Sequence, residues 1–137
     1  MSQHQILLPA DWPRPKGYSN GVVTQGRQVY IAGQVGWNSE CRFASSRMSD
    51  QVKQCLQNIL AVLAEAQGRP EHIVRLTWFM TSRDEYLAQL KEIGAAYREV
   101  MGAHYPVMTA VQVTALMEAD AKVEIEATAV IPDVAAT

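Results

Sequence analysis

One acidic residue on a strand-like segment is the strongest candidate for catalysis in this chain. Glu124 lies in the run Val-Glu-Ile-Glu-Ala, where apolar and acidic residues alternate with the two-residue period of a half-buried strand. A carboxylate at the edge of an apolar surface can serve as a general acid or base. Glu126 lies two positions further on and shares the same face, so a pair of solvated strand residues is the alternative interpretation.

The histidines and cysteines do not form a reactive motif. His4, His72 and His104 lie far apart in the sequence and lack the H-x-x-x-H and H-E-x-x-H spacings of zinc sites, so we expect neither a metal nor a cofactor. Cys41 lies in a polar loop without a neighbouring base, and Cys55 falls on an apolar helical stripe. The sequence therefore predicts neither a thiol nucleophile nor a secreted disulfide scaffold.

The segments that must position Glu124 indicate an α+β domain in the order β-β-α-β-α-β-β, with two helices on one face of the sheet. The predicted elements are strands over 22–24 and 29–32 that turn at Gly26, helices over 49–66 and 82–101, and strands over 72–81, 107–116 and 121–130. Ser82 and Glu85 form the capping box that opens the second helix. The other sheet face mixes apolar and small polar residues, which favours burial against another subunit.

The length and charge of the chain restrict its partners. A chain of 137 residues is one domain, here with residues 1–16 as an irregular, proline-rich N-terminal arm. The net charge is −2 and the basic residues are scattered, so we expect no nucleic-acid partner. No apolar run reaches the ~18 residues that a membrane-spanning helix needs, and no signal peptide is recognisable. These features predict a cytoplasmic protein without membrane contact.

Short motifs along the whole chain form a recognisable series. They are Gly17-Tyr18-Ser19, Ala32-Gly33-Gln34, Gln57-Asn58, the strand 73–79, Tyr97, Tyr105-Pro106 and the strand 123–127. In this order and spacing they resemble the RidA/YjgF family of enamine and imine deaminases, also called the endoribonuclease L-PSP family. The resemblance implies a fold like that of chorismate mutase, a homotrimer, and small-molecule clefts between subunits.

The resemblance also implies where this chain departs from the deaminating members. Those members carry Pro-Ala-Arg after the aromatic-proline step, and the arginine binds the carboxylate of a 2-imino acid. Here the stretch reads Pro106-Val107-Met108, so a thioether stands where the arginine is expected. Ala32 replaces the serine of a Ser-Gly-Gln motif, and Gly94 falls where an asparagine is expected. An anionic ligand would lose charge-assisted hydrogen bonds of roughly 1.5–3 kcal/mol each, so we expect a neutral, cationic or more apolar ligand, or none.

Three residues match the family pattern, and one further aromatic residue is a candidate for ligand contact. Tyr18, Gly33 and Glu124 match, and the family credits the glutamate with positioning water or a proton. Tyr18 is either a ligand donor or an amphipathic residue at a subunit edge. Met108 is predicted to form the cleft wall. Trp37 can stack on a ligand, or anchor its own loop with a large apolar ring.

Three functions follow from these residues. The first is a hydrolase of a reactive enamine or imine, in which Glu124 orients water or relays a proton while Tyr18 and the Gly33 backbone hold the ligand. The second is a trimer that binds a metabolite or a protein without turnover. The third is a ribonuclease, suggested by the family's older name, which the net charge of −2 disfavours.

Overall fold

The computed structural model describes residues 4–133 and is built around a four-stranded sheet. The elements in chain order are β1 (Gln5–Leu7), β2 (Gly21–Val23), β3 (Arg27–Val35), α1 (Met48–Ala64), β4 (Ile73–Met80), α2 (Arg83–Ala88), α3 (Leu90–Met101), β5 (Val107–Gln112) and β6 (Val123–Ile131). A short 3-10 turn, Pro70–His72, leads into β4. The predicted α+β class, with two main helices packed on a sheet, is confirmed.

The sheet has the strand order β3-β6-β4-β5. The last strand, β6, lies between β3 and β4 and is antiparallel to both. Strands β4 and β5 are parallel neighbours. A parallel pair needs a long crossover connection, and α2 and α3 provide it.

The core lies between the sheet and the helices. Alternate residues of β6 are buried, and they pack against the apolar stripe of α1 and the inner face of α3. The side chains of β6 and α1 that form this layer are Val123, Ile125, Ala127 and Ala129, with Val52, Cys55, Leu56, Ile59 and Leu63. The two periods predicted from the sequence, two for the strand and 3.6 for the helix, therefore meet in one apolar layer.

The second face of the sheet is open in a single chain. The register pairs Phe79 with Glu124 and Thr77 with Glu126, so the acidic residues of β6 project from this face. Tyr30, on the edge strand β3, is 74% exposed. This face is therefore accessible to a partner in the single chain.

The predicted first hairpin is wrong. Strand β2 pairs with β1 rather than with β3, so the N-terminal arm contains a short strand and is not wholly irregular. Gly26 instead lies where the chain enters β3, with φ of +146° and no room for a side chain beside the Ile131 carbonyl. A strand of three residues is too short to show a period, and its partner lies across a proline-rich loop, so local patterning could not reveal the pairing.

The second helix is not continuous as predicted. It breaks at Gln89, whose φ of −113° and ψ of 19° lie outside the helical region. The Gln89 side-chain oxygen accepts a hydrogen bond from the Ser49 N–H. This N–H lies in the first turn of α1, where backbone donors have no acceptor within the helix. The Ser82 hydroxyl accepts from the Glu85 N–H as predicted, but the Glu85 carboxylate pairs with Lys122 instead of closing the capping box.

Candidate functional site

A β-bulge in β3 positions the first group of candidate residues. Ile31 pairs with Ala127 and Gln34 with Ile125, so Ala32 and Gly33 together occupy the space opposite Glu126. A bulge of this kind bends its strand and redirects nearby side chains. Ala32 is exposed. The Ala32 backbone carbonyl accepts a hydrogen bond from the side-chain amide of Gln34.

Gly33 leaves the space that the Glu124 carboxylate occupies. A Cβ atom built at residue 33 would lie 2.2 Å from Glu124 Oε2 and 2.9 Å from its Cδ. Any side chain at this position would therefore push the carboxylate away from the bulge. Gly33 and Glu124, two residues that match the family pattern, therefore lie against each other in the structure. We call Ala32, Gly33 and Glu124 the bulge group.

The Glu124 carboxylate is available for a ligand. It is half-buried, and it forms no ion pair and accepts no side-chain hydrogen bond within the part of the chain that the structure describes. The pKa of the Cys55 thiol is raised far above its usual range. Burial is the larger cause and the charge of Glu124 is the smaller one. Cys55 therefore stays protonated and does not compete as a nucleophile.

The second group forms around Tyr18, at the start of β5. The Ser19 N–H donates to the Pro106 carbonyl at 3.1 Å, and the Ser19 hydroxyl donates to the Tyr105 carbonyl at 2.6 Å. Ser19 also forms a parallel bridge with Val107. These contacts attach the segment that precedes β2 to β5 and bring Tyr18 to the same cleft as Met108.

This cleft, which we call the aromatic cleft, has a volume of about 540 Å³. It is lined by Lys16, Gly17, Tyr18, Trp78, Tyr86, Leu90, Ile93, Gly94, Tyr97, Arg98, Tyr105, Met108 and Ala110. Three of its rings form a stack, with centroids 6.4 Å apart for Trp78 and Tyr97 and 5.5 Å apart for Tyr97 and Tyr105. A mostly apolar cleft with a few polar groups is the usual form of a small-molecule site.

Hydrogen bonding and burial fix the state of the inner tyrosines. The Tyr97 hydroxyl donates to the His104 carbonyl at 2.5 Å, which joins α3 to the loop before β5. Burial raises the pKa of Tyr97 well above its usual range, and the Tyr105 phenol adds to this effect. Burial also raises the pKa of Tyr86. Both phenols are therefore neutral at physiological pH and keep their hydroxyl protons.

Two cations lie at the aromatic cleft, and sequence reasoning missed both. Lys16 and Arg98 line it, whereas none of the described residues around it is acidic. A Cβ atom at Gly94 would lie 3.3 Å from Arg98 Nη1, so the guanidinium lies over the glycine one helical turn before it. The spacing of Gly94 and Arg98 was the available signal, but its meaning depends on the neighbouring cleft.

The structure divides the predicted site residues into two groups. Tyr18, Gly94 and Met108 share the aromatic cleft, and Ala32, Gly33 and Glu124 form the bulge group. Glu124 pairs with Phe79 and Met108 pairs with Leu76, positions of opposite parity on β4, so the two groups face opposite sides of the sheet.

Trp37 lies outside both groups. Its ring packs against Phe43, with centroids 5.8 Å apart. Its carbonyl accepts a hydrogen bond from the Asn58 amide at 2.8 Å, and the same amide donates to the Val35 carbonyl. These contacts hold the loop between β3 and α1 against the first helix.

Residues 4–133 contain neither a cluster of metal-ligating side chains nor a membrane-spanning helix. No three or more His, Cys, Asp or Glu side chains in this range come together in a way that could hold a metal ion. No helix in the same range is both long and apolar enough to cross a membrane.

Comparison with known proteins identifies relatives of the whole domain. A RutC family protein encoded in the leuC 5' region of Leuconostoc mesenteroides subsp. cremoris is 32% identical over 127 residues, which are 91% of this chain and 96% of the relative. The 2-iminobutanoate/2-iminopropanoate deaminase of Dermatophagoides farinae is 26% identical over 132 residues, 96% of this chain and 99% of that protein.

A solved structure shares the fold. The crystal structure of YyfB from Yersinia pestis, a protein of unknown function of the conserved Rid protein family, matches with a TM-score of 0.81 and 29% sequence identity. The match covers 94% of this chain and 99% of the Yersinia chain. The family model described as endoribonuclease L-PSP matches residues 12–131. The chain therefore belongs to the endoribonuclease L-PSP family, which includes the Rid and RutC proteins.

Proposed function

We propose that this protein hydrolyses a reactive enamine or imine in a cleft that two subunits of a homotrimer build together. The carboxylate of Glu124, held over Gly33 without a hydrogen-bond or ion-pair partner in the described chain, is the observation that carries the proposal. The name of the Dermatophagoides relative, a deaminase of 2-imino acids, supports the same reaction class.

The assembly is part of the proposal because one chain separates the two groups. The bulge group and the aromatic cleft lie on opposite sides of the sheet, so a ligand cannot contact both within one subunit. The open sheet face, with the exposed ring of Tyr30, offers a surface on which a second copy can pack. In this arrangement the bulge group of one subunit would face the aromatic cleft of the next.

The proposed reaction needs only water and acid–base catalysis. The Glu124 carboxylate accepts a proton from water as the water oxygen attacks the imine carbon. The same carboxyl group then donates this proton to the imine nitrogen, which gives a neutral carbinolamine. The carboxylate next takes the hydroxyl proton of the carbinolamine and delivers it to the nitrogen as the C–N bond breaks, so the products are a carbonyl compound and ammonia. An enamine reacts in the same way after it has tautomerised to the imine. The Tyr18 phenol and the Gly33 backbone hold the ligand, while Met108 shapes the cleft wall.

Met108 directs the proposal away from the small 2-imino acids. The thioether carries no positive charge and offers only a weak acceptor, so Met108 itself cannot pair with a carboxylate. A ligand with a larger apolar group fits the cleft better, because its surroundings are mostly aromatic and aliphatic. Substrates that need their carboxylate bound by a residue of β5 are therefore expected to react poorly.

The decisive experiment compares two glutamates of β6. Hydrolysis of imines generated in situ, one from alanine and one from phenylalanine, is measured for the wild type, Glu124→Gln and Glu126→Gln. Glu126 is exposed on the same strand face and provides the matched control. Loss of a general acid–base should lower kcat by about 10²- to 10⁴-fold in Glu124→Gln, with Glu126→Gln unchanged. Equal activity of the two variants would overturn the assigned role.

A second variant tests the role of Met108. Met108→Arg should gain activity on the small imine of alanine, because a guanidinium can bind its carboxylate with two parallel hydrogen bonds. A wild type that already hydrolyses this imine as fast as the variant would contradict our interpretation of Met108.

A trimer that binds a metabolite or a protein without turnover is the second candidate. Met108, Gly94 and Ala32, which replace three expected polar residues, favour it. Under this candidate, wild type and Glu124→Gln are equally inert toward both imines while ligand binding persists. Ribonuclease activity would require salt-sensitive RNA binding, and the net charge of −2 argues against it.

A further inference from the structure

The aromatic cleft contains two positive charges and one buried donor that the proposed hydrolysis does not use. We propose that the cleft binds the carboxylate of an aromatic ligand through Arg98, assisted by Lys16, with the ligand ring against the Trp78–Tyr97–Tyr105 stack. The inference rests on the proposed function only in taking this cleft as the ligand-binding half of the site. It assigns recognition of the anion to helix α3 instead of strand β5.

The two cations are free to bind a ligand anion. Four ion pairs occur among residues 4–133, and neither Lys16 nor Arg98 belongs to any of them. The acidic residue next to Arg98, Glu99, pairs with Lys53 of α1 at 3.0 Å. No described residue of the same chain that lines the cleft is acidic, so the lining of one chain carries a net positive charge that favours an anion.

Gly94 explains how Arg98 can reach the cleft. Residues four positions apart lie on the same face of a helix, so a side chain at position 94 would crowd the Arg98 guanidinium. The glycine removes this obstacle, and the guanidinium lies 3.3 Å from the position that a Cβ atom would take. The absence of the expected asparagine at position 94 therefore opens the path for a different polar group.

Trp78 supplies an independent indication of a ligand. Its indole Nε1 is buried and has no hydrogen-bond partner, and it is the single such side-chain atom found in the described part of the chain. Trp78 is 4% exposed and lines the aromatic cleft. A buried donor without a partner costs roughly 1–3 kcal/mol, so a ligand acceptor that reached Nε1 would gain a hydrogen bond that the single chain does not supply.

The ring stack selects the shape of the ligand. Tyr97 and Tyr105 are nearly parallel, with an angle of 13° between their planes, and Trp78 is inclined by 30° to Tyr97. Trp78 and Tyr97 are buried, whereas Tyr105 is half-buried, so Tyr105 is the ring of the stack that a ligand can reach. A planar conjugated group packs on such a ring better than a saturated one. With about 540 Å³ available, one aromatic ring and a short acidic chain fit the cleft.

Arg75 is the competing cation. It lines a smaller neighbouring cleft together with Tyr18 and Met108, on the side of β2. That cleft contains none of the three stacked rings and not the Trp78 indole. A ligand that uses the stack and the free indole donor must therefore lie on the side of Arg98.

The experiment measures binding of phenylacetate, which does not react and therefore separates recognition from turnover. Its uncharged counterpart phenylacetamide has the same shape, and cyclohexylacetate keeps the charge without the flat ring. Arg98→Gln is compared by calorimetry with Arg75→Gln, which removes the competing cation, and with Lys91→Gln, which removes an exposed cation from the same helix but outside the cleft. Each of the three variants loses one positive charge, so a difference in affinity between them reports the position of the lost charge.

Phenylacetate is expected to bind the wild type about tenfold or more tightly than either phenylacetamide or cyclohexylacetate. Arg98→Gln should remove about tenfold of that affinity, the effect of one charge-assisted hydrogen bond, and leave phenylacetamide unchanged. Arg75→Gln and Lys91→Gln should bind like the wild type. The indole N–H resonance of Trp78, assigned with Trp78→Phe, should shift when phenylacetate binds.

Several results would overturn the inference. It fails if the wild type does not bind phenylacetate, if the amide binds as tightly as the acid, or if Arg75→Gln weakens binding as much as Arg98→Gln. These results are distinct from failure of the proposed hydrolysis, because phenylacetate does not react and its binding is measured without turnover. If phenylacetate binds tightly and its binding depends on Arg98, but the wild type does not hydrolyse imines, the inference is supported and the proposed hydrolase activity is wrong.

Discussion

The bulge group and the aromatic cleft each use a glycine to make room for a charged side chain, but they do so with different tolerance. At the bulge, a Cβ atom on Gly33 would lie 2.2 Å from the Glu124 carboxylate. At the cleft, a Cβ atom on Gly94 would lie 3.3 Å from the Arg98 guanidinium, which can move aside. A side chain at position 33 would therefore have to displace the Glu124 carboxylate, whereas one at position 94 would require only a small shift of the Arg98 guanidinium. Catalysis depends more strictly on the position of a charged group than ligand recognition does.

Among the tests of this comparison, the largest expected effect comes from filling the tighter of the two spaces. Gly33→Ala should lower imine hydrolysis by about 10²-fold, because a displacement of the Glu124 carboxylate by ~1 Å is enough to spoil its alignment. Gly94→Ala should leave hydrolysis within about threefold of wild type and should stabilise α3 by up to ~1 kcal/mol, since alanine is the better helix former. Kinetics and urea denaturation of both variants test the contrast. Equal kinetic losses at the two glycines would contradict the difference between the two regions.

A smaller effect is expected from the hydrogen bond that holds the cleft together. Tyr97→Phe leaves the His104 carbonyl without its 2.5 Å donor, so the free energy of unfolding should fall by about 1–2 kcal/mol. Tyr18→Phe is the control, because the Tyr18 hydroxyl has no hydrogen-bond partner within residues 4–133. Its stability should stay within ~0.5 kcal/mol of wild type. If urea denaturation gives the same result for both variants, the hydrogen bond to His104 does not organise the cleft.

The smallest effect concerns the turn that leads into β4, the strand between the two regions. Burial lowers the pKa of His72, whose Nδ1 accepts the Arg69 N–H at 2.9 Å. The unfolded imidazole, with a pKa near ~6.5, therefore binds more protons than the folded one in mildly acidic solution. The free energy of unfolding should fall as the pH drops below about 6.5.

Substitution of His72 tests the source of this pH dependence. His72→Gln should reduce the loss of stability on acidification, measured by denaturation at about pH 7.5 and pH 5.5. It should not abolish the loss, because burial lowers the pKa of His4 as well. An unchanged pH dependence in His72→Gln would show that His72 does not contribute.

The elements with strong local periods were predictable, and the contacts between distant segments were not. The stripe of α1 and the alternation of β6 identified core residues such as Leu56 and Ile125 correctly, because one period over many residues specifies a buried face. The pairing of β1 with β2 and the break at Gln89 depend on partners far along the chain. No local pattern encodes such a partner.

The same limit applies to the site. Gly33 and Glu124 were identified individually, but their contact depends on the bulge, which adds one residue to β3 and cannot be counted from one strand alone. Arg98 was overlooked because an exposed arginine on a helix is ordinary until the rings beside it are known. Residue types could therefore be predicted, whereas the division into two opposite half-sites required the register of the sheet.

The position of β6 has a consequence for the synthesis of the protein. Strands β3 and β4 are not neighbours, and they are joined only through the final strand of the domain. While the ribosome is still translating 123–131, the emerged chain has no continuous four-stranded sheet, and its apolar surfaces stay exposed. The nascent domain thus completes its sheet only after 123–131 has been synthesised, and premature termination before β6 would leave fragments for proteolysis instead of a partly working protein.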